Sequence, residues 1–421
     1  MRENQALLDF CRLCVALVVV ATSVTEAAAV NEQVLYSFGG LNGLYNPGPL
    51  IFDRAGNLYG TASSQGSGTV FELSPSALGG WSQATLHSFS GSDGANPTGP
   101  LLFDNVGNLY GMTENGGTGD CSFSGCGVIY ELSPGSSGWT ETVLYSFTGG
   151  SDGRYPYGGL VADSSGNLYG TTSYGGNLSD CFGSGCGTVF RLARTSKGWQ
   201  FNVLHSFSGG TDGAAPVAGL SIHSGAIYGT AEFGGNLACN DFAVPGCGTV
   251  FKVSPGKSGG AQFQIVYSFA GGTDGSYPCA GLTFDSTGNA YGTTLSGGPA
   301  NNGTVFRLEP DAGGQWKETV LHSFAATNDG WDPAAPLVID KLGNLYGTTE
   351  FATIYPNGGI VFRLSPASNG TWSETILHNF TRGSDGQTPS SGVIFGKGPG
   401  LYGSTSQGGN FNGGTVYEIT K

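Results

Sequence analysis

Gly166-Asn167-Leu168-Tyr169-Gly170-Thr171 is not alone in its chain: the same block, intact or slightly varied, surrounds Tyr59, Tyr110, Tyr228, Tyr291, Tyr346 and Tyr402. A Gly-Thr-Val-Phe-type segment follows each copy, at Val70, Val128, Val189, Val250, Val305, Val361 and Val416. A Ser-Phe or Asn-Phe ending recurs at Phe38, Phe89, Phe147, Phe207, Phe269, Phe324 and Phe380, at intervals of 51 to 62 residues. With the Gly-x-Leu-x-x-Asp segment ahead of each block, every period holds four short strands, here called inner, second, third and outer. That period and strand number are those of a radial repeat. The expected fold is therefore all-β, a seven-bladed β-propeller with four-stranded blades. The chain opens with a lone outer strand, Val34 to Phe38, and ends on a third strand, Tyr417-Glu418-Ile419, that no outer strand follows. Pairing these two ends would close the ring and leave no edge unpaired.

The first 29 residues differ from the rest: Arg2 and Arg12 flank a polar start, Leu13 to Val20 is apolar, and Ala27-Ala28-Ala29 provides small residues for cleavage. They read as a secretory signal peptide, which leaves residues 30–421 as a single propeller domain, expected to be exported and monomeric. Only 11% of residues are charged and the formal net charge is −14, which argues against nucleic acid and anionic membrane as partners. No membrane span is expected once the leader is removed. The 76 glycines fall at fixed places in the unit and mark turns, not disorder.

Seven of the nine cysteines lie beyond the leader. Cys121 and Cys126, Cys181 and Cys186, and Cys239 and Cys247 occupy the connection between second and third strands in three successive units, with no histidine nearby to complete a metal site. Local disulfides are expected in an exported chain. Cys279 is left as the odd thiol, free or exchanging with the pair of the fourth blade.

Several repeated residues have structural readings. Asp53, Asp104, Asp163, Asp285 and Asp340 stand four residues ahead of the Asn of Gly-Asn, a hairpin signature; His223 and Gly396 replace the acid elsewhere. Trp81, Trp139, Trp199, Trp316 and Trp372 each stand eight residues before the closing Phe and read as packing groups. His87, His205, His322 and His378 share their register with Tyr36, Tyr145 and Tyr267, a pattern of aromatic rings with polar tips. The acids of the Asp-Gly turns, Asp93, Asp152, Asp212, Asp274, Asp329 and Asp385, read first as turn formers. Their functional reading is a ring of carboxylates at one channel mouth, able to hold a hard cation such as calcium. No other cofactor is expected.

Alternating strand direction puts the second-to-third and outer-to-inner connections on one face. The former are longest in blades two to four, where the Tyr-to-Val distances are 18, 20 and 22 residues against 11, 14, 15 and 14 elsewhere. Loops on a rigid scaffold are where recognition residues concentrate. The ligand-binding candidates are Tyr174, Phe182, Phe233, Phe242, Tyr277 and Trp331, the last being the one tryptophan outside the outer-strand register. Aromatic faces beside carboxylates suit sugar rings. His223 and Cys279 are the residues an enzymatic reading would test first.

Taken in order, Gly-Gly-Ser-Asp-Gly, Gly-Asn-Leu-Tyr-Gly-Thr-Thr, Gly-Thr-Val-Phe-x-Leu and Thr-Val-Leu-His-Ser-Phe resemble the GloVer-type tandem repeat of exported bacterial proteins, over essentially all of Val34 to Thr420. The resemblance implies an extracellular or surface repeat protein and brings no established activity. The leading functional expectation is a recognition scaffold that binds a glycan or a cell-surface protein over the long-loop face. The alternatives are a propeller enzyme acting on polysaccharide or lactone, and a purely structural envelope protein.

Overall fold

A computed structural model of the chain describes residues 30–39, 44–64, 67–77, 79–121, 124–240, 242, 244–256, 260–325, 329–352 and 358–420; the expected leader lies outside them. The described residues form seven antiparallel sheets arranged as a seven-bladed β-propeller, without an α-helix. The second blade is representative, with Ala95–Phe103, Leu109–Asn115, Val128–Gly135 and Gly138–Ser146 lying side by side in chain order. The seventh sheet is composite: Val393–Phe395, Leu401–Thr405 and Asn412–Thr420 are joined by Asn31–Gly39 as the outer strand. Val34 lies opposite Tyr417 and Tyr36 opposite Val416.

The apolar run of the third strand explains its depth. Val70, Phe71 and Leu73 have no exposed surface, and their counterparts in every blade are equally buried. The core lies between blades: Tyr59, Val70 and Phe89 of the first pack with Leu101, Leu109, Val128 and Tyr130 of the second. Outer-strand tryptophans reach back to the preceding blade, as packing groups should. Trp139 meets Tyr59 at 6.4 Å, Trp199 meets Tyr110 at 6.2 Å and Trp316 meets Tyr228 at 6.0 Å between ring centres.

The hairpin acids are fully occupied. Asp163 accepts hydrogen bonds from the N–H groups of Ser165 and Asn167, the Asn167 amide and the Tyr169 hydroxyl. Those bonds hold its carboxyl below the usual range although burial opposes them. In the seventh blade, where Gly396 replaces the acid, the Tyr402 hydroxyl donates to Glu418 instead, at 2.6 Å.

Candidate functional site

Each outer-to-inner connection ends in a residue of left-handed backbone followed by proline: φ is 53° at Asn46 and Asn96, 56° at Tyr155, 52° at Ala215, 61° at Tyr277, 57° at Asp332 and 59° at Thr388. The shared kink turns the next residue toward the ring axis, where a cavity of about 1000 Å³ is lined by all seven blades. At that level stand Gly48, Thr98, Tyr157, Val217, Cys279, Ala334 and Ser390. The backbone is repeated there and the chemistry is not.

The second strands add another level at the fourth residue after their Tyr: Ser63, Glu114, Ser173, Glu232, Leu295, Glu350 and Ser406. The Glu350 N–H donates to the Asp332 carbonyl at 3.0 Å, which fixes these two acids side by side. Glu114, Asp332 and Glu350 line the cavity. Burial pushes Glu232 up to about 7 and Asp332 up to about 6; it also raises Glu114, and raises Glu350 with the Asp332 charge adding to the effect. Tyr157, half exposed, projects into this space, and its hydroxyl is held protonated by burial and then by Glu114 and Glu350.

Cys279 faces the same cavity as a free thiol, donating weakly to the Ala334 carbonyl at 3.8 Å. Burial, then Glu232, Glu350 and Asp332, push its pKa far up, the reverse of what a nucleophilic cysteine needs. His223 is stacked on Phe284 at 4.5 Å and does not line the cavity. Neither supports the enzymatic role that an isolated His or Cys invites.

Aromatic groups lie one or two residues out from these two levels. Trp331 stacks on Phe351 at 4.5 Å, and these are the sequence neighbours of Asp332 and Glu350. Tyr155 and Tyr174 meet edge to face at 6.1 Å beneath the Arg154 guanidinium. Phe233, Phe242 and Tyr277 form a third group with centres 4.9 to 5.8 Å apart. Tyr277 is only 3% exposed, so it backs Phe233 and Phe242 and offers no open face; Tyr174, Phe242 and Phe182 are the exposed rings, at 43%, 53% and 82%.

The three disulfides form as their spacing implies: Cys121–Cys126, Cys181–Cys186 and Cys239–Cys247, with Cα atoms 5.1, 5.4 and 5.0 Å apart. Their sulfurs lie against Gly149, Gly209 and Gly271 in the outer-to-inner turns, so the two kinds of connection do share a face.

The six turn acids are placed differently from a ring at the channel mouth. None lines the cavity; each faces the polar tip of its own outer strand. Asp152 accepts from the Tyr145 hydroxyl at 3.0 Å and the Thr148 N–H at 2.8 Å, and Asp274 from the Tyr267 hydroxyl at 2.7 Å and the Ala270 N–H at 2.6 Å. Asp93 and Asp212 each lie 3.0 Å from Nε2 of His87 and His205, Asp385 3.4 Å from that of His378, and Asp329 3.6 Å from that of His322. The outer strand of the next blade supplies a third group. It is Phe201 stacked on Tyr145 and Phe263 stacked on His205, but Glu141 beside Asp93, Glu318 beside Asp274 and Glu374 beside Asp329.

The Gloeobacter/Verrucomicrobia repeat model matches residues 21–244 and again 238–421. The chain belongs to this family. No curated protein matches it. Among solved structures it is similar to a streptogramin B lyase, at 13% identity and a TM-score of 0.53, over 93% of this chain and 97% of that one. A catalytically inactive virginiamycin B lyase from Staphylococcus aureus, solved with quinupristin, is similar at 14% identity and a TM-score of 0.52, over 93% and 99%. At such identity the likeness is one of fold.

In this Gloeobacter/Verrucomicrobia repeat protein the outer acids make a pH dependence measurable. Burial, then the Asp274 charge, raise the Glu318 carboxyl from 4.5 to about 7 in the folded state. Folded protein then holds a proton that unfolded chain has released between those values, so the contribution of this one group to stability is greatest below pH 4.5 and is lost as pH rises through 7. Glu318→Gln, with the residue type that Gln83 places at this register, is expected to raise the melting temperature by a few degrees at pH 8 and hardly at pH 5. Thermal melts of both proteins in chelator across that range check it; parallel curves would refute it.

The cavity acids Glu114 and Glu350 carry a signal in the sequence: Glu stands at the fourth position after the second-strand Tyr in blades two, four and six, against Ser or Leu in the others. The outer acids left a weaker one, Glu at the second residue after the outer-strand Trp in Glu141, Glu318 and Glu374. Among the described residues no helix is long and apolar enough to cross a membrane, and the disulfides fit an oxidising compartment.

Proposed function

We propose that this protein is an exported recognition propeller that binds a glycan at the mouth of its central cavity. The observation that carries the reading is the juxtaposition of Trp331–Phe351 with Asp332 and Glu350, an aromatic pair whose sequence neighbours are cavity carboxyls. Sugar rings present apolar faces to aromatic side chains and hydroxyls to carboxyl groups. Tyr157 and Glu114 across the cavity offer further polar contacts, and the exposed Tyr174 and Phe242 extend the surface along blades three and four. The site moves inward from the long loops toward the axis, where the blades differ most.

A glycan array probed with the leaderless protein, followed by calorimetry on the best ligand, tests this. Glu350→Gln and Trp331→Ala are each expected to weaken binding about tenfold or more, the effect of losing one well-placed contact of roughly 1.4 kcal/mol. Silence across the array, or unchanged affinity in both variants, would reject the reading in favour of a structural role or a protein partner. One observation favours an enzymatic alternative: Asp332, raised to about 6 beside Glu350, is suited to protonate a leaving oxygen. Product release from a bound polysaccharide or lactone, lost in Asp332→Asn, would support it.

A further inference from the structure

Where the outer edges of adjacent blades meet, the junction of the fifth and sixth blades gathers three potential ligand atoms that lack hydrogen-bond partners. His322 and Asp329 end the fifth blade, and Glu374 projects from the outer strand of the sixth, Trp372–Asn379. Nε2 of His322 lies 3.6 Å from a carboxylate oxygen of Asp329 and 3.9 Å from one of Glu374. One ligand atom from each residue falls within 4.8 Å of the other two. Nε2 of His322, Oδ1 of Asp329 and Oε1 of Glu374 are all buried, and no hydrogen-bond partner reaches any of them. Nε2 of His322 and Oε1 of Glu374 thus meet without a donor, while Asp329 turns Oδ2, which accepts the Ala325 N–H at 2.8 Å, toward His322 and leaves Oδ1 unserved, so the set has an unmet demand for positive charge.

We infer that His322, Asp329 and Glu374 bind a divalent metal ion of the zinc class, clamped between the fifth and sixth blades. Ligand bonds of about 2.0–2.2 Å to a tetrahedral ion place ligand atoms about 3.3–3.6 Å apart; here His322 lies 3.6 and 3.9 Å from the two acids and the three ligand atoms fall within 4.8 Å of one another, so a small inward movement of the acids completes the site. Three protein ligands leave a fourth position for water. The mixed nitrogen and oxygen set favours zinc over calcium, which takes six to eight oxygens. His87, Asp93 and Glu141 at the first junction make a second cluster of the same three types within the same spacing.

Between the sixth and seventh blades His378, Asp385 and Glu32 repeat the three types, and Nε2 of His378 and Oε1 of Glu32 also lack a partner, but this trio does not gather its ligand atoms within 4.8 Å; other junctions differ in residue type. Phe201 and Phe263 fill the third position with a ring stacked on Tyr145 and His205. At the fourth junction Tyr267 replaces the histidine and donates its hydroxyl to Asp274, so that acid is already served. The repeat thus contains its own controls, because Tyr and Gln occur naturally at the positions of His322 and Glu374.

The test is zinc titration of the leaderless, disulfide-intact protein after treatment with chelator, read by calorimetry and by thermal melts. Saturable uptake of about two equivalents and a rise in melting temperature are expected. His322→Tyr and Glu374→Gln should each remove one equivalent and part of that rise, while melting in chelator with a midpoint at or above that of the parent. Cobalt should give a visible absorption band of tetrahedral intensity, diminished in both variants. No saturable uptake, unchanged stoichiometry in both variants, or calcium competing at equal concentration would each overturn the assignment. His87→Tyr, which should remove the other equivalent, separates the two junctions. None of these readouts depends on the ligand of the central cavity.

Discussion

Phe38→Ala is expected to cost about 3–5 kcal/mol of stability, as for other fully buried aromatic rings, and deletion of Asn31–Gly39 to abolish cooperative unfolding altogether. Phe38 has no exposed surface and lies 5.0 Å from Phe71 of the first blade, so it fills the junction between the last blade and the first. Its strand also pairs with Asn412–Thr420 along most of that strand's length. Deletion would remove the core plug and expose a long third strand as an unpaired edge, an invitation to association between chains. Urea melts and size-exclusion chromatography read both effects. A deletion variant that stays monomeric and unfolds in one transition near the parental midpoint would show that the latch is dispensable. Phe89→Ala removes the same ring from a blade whose four strands follow one another in the chain. It should match the point variant and show none of the association.

The second large effect concerns the glycine that follows each second-strand tyrosine. Gly292 pairs directly with Phe306, whose ring folds back over it: a Cβ at Gly292 would lie 2.6 Å from Cζ of Phe306 and 3.0 Å from Cδ2 of Leu282. Gly170 with Phe190 and Gly229 with Phe251 repeat the arrangement at 2.5 Å. The backbone at Gly292 is ordinary, so the glycine is there for space alone. Phe306→Ala is expected to cost about 3–5 kcal/mol and Gly292→Ala about 1–3 kcal/mol through overpacking. Combined, the two should cost less than their sum by about 1 kcal/mol or more, because the added methyl enters the space the ring has left. Strict additivity in denaturant melts would mean that ring and glycine do not share that space.

Such pairs also explain which parts of the molecule can be read from residues alone. The blades are legible because local demands recur: the Tyr-Gly of the second strand needs the Phe of the third, and Asp163 needs Asn167 four residues on. Each signal sits within one unit, and seven copies reinforce it. The cavity is harder to read because its identity lies in departures from the repeat. Glu114 and Glu350 occupy one register, yet nothing local reveals that they line the axial cavity. Trp331 is visible as an irregular tryptophan, whereas Asp332 beside it, the residue that lines the cavity, carries no such mark. The turn acids failed for a different reason. Alternation of strand direction assigns their face correctly, but distance from the axis depends on where the outer strand carries the turn. The junction of His322 with Glu374 joins residues some fifty positions apart through the packing of two sheets, and no spacing rule within a unit could have paired them.

The disulfide loops carry a consequence for how such a ring changes its surface. A Cβ at Gly149 would lie 2.4 Å from Sγ of Cys121, one at Gly209 2.8 Å from that of Cys181, and one at Gly271 2.7 Å from that of Cys239. Each stapled loop therefore depends on a glycine that comes two strands later, in the turn leading to the next blade. In the sixth blade the equivalent position is Arg382. A stapled loop transplanted there by itself would meet that side chain. The segment that can be exchanged whole, by recombination or by an engineer, runs from the end of one second strand to the turn before the next inner strand, and its borders fall out of step with the blades themselves.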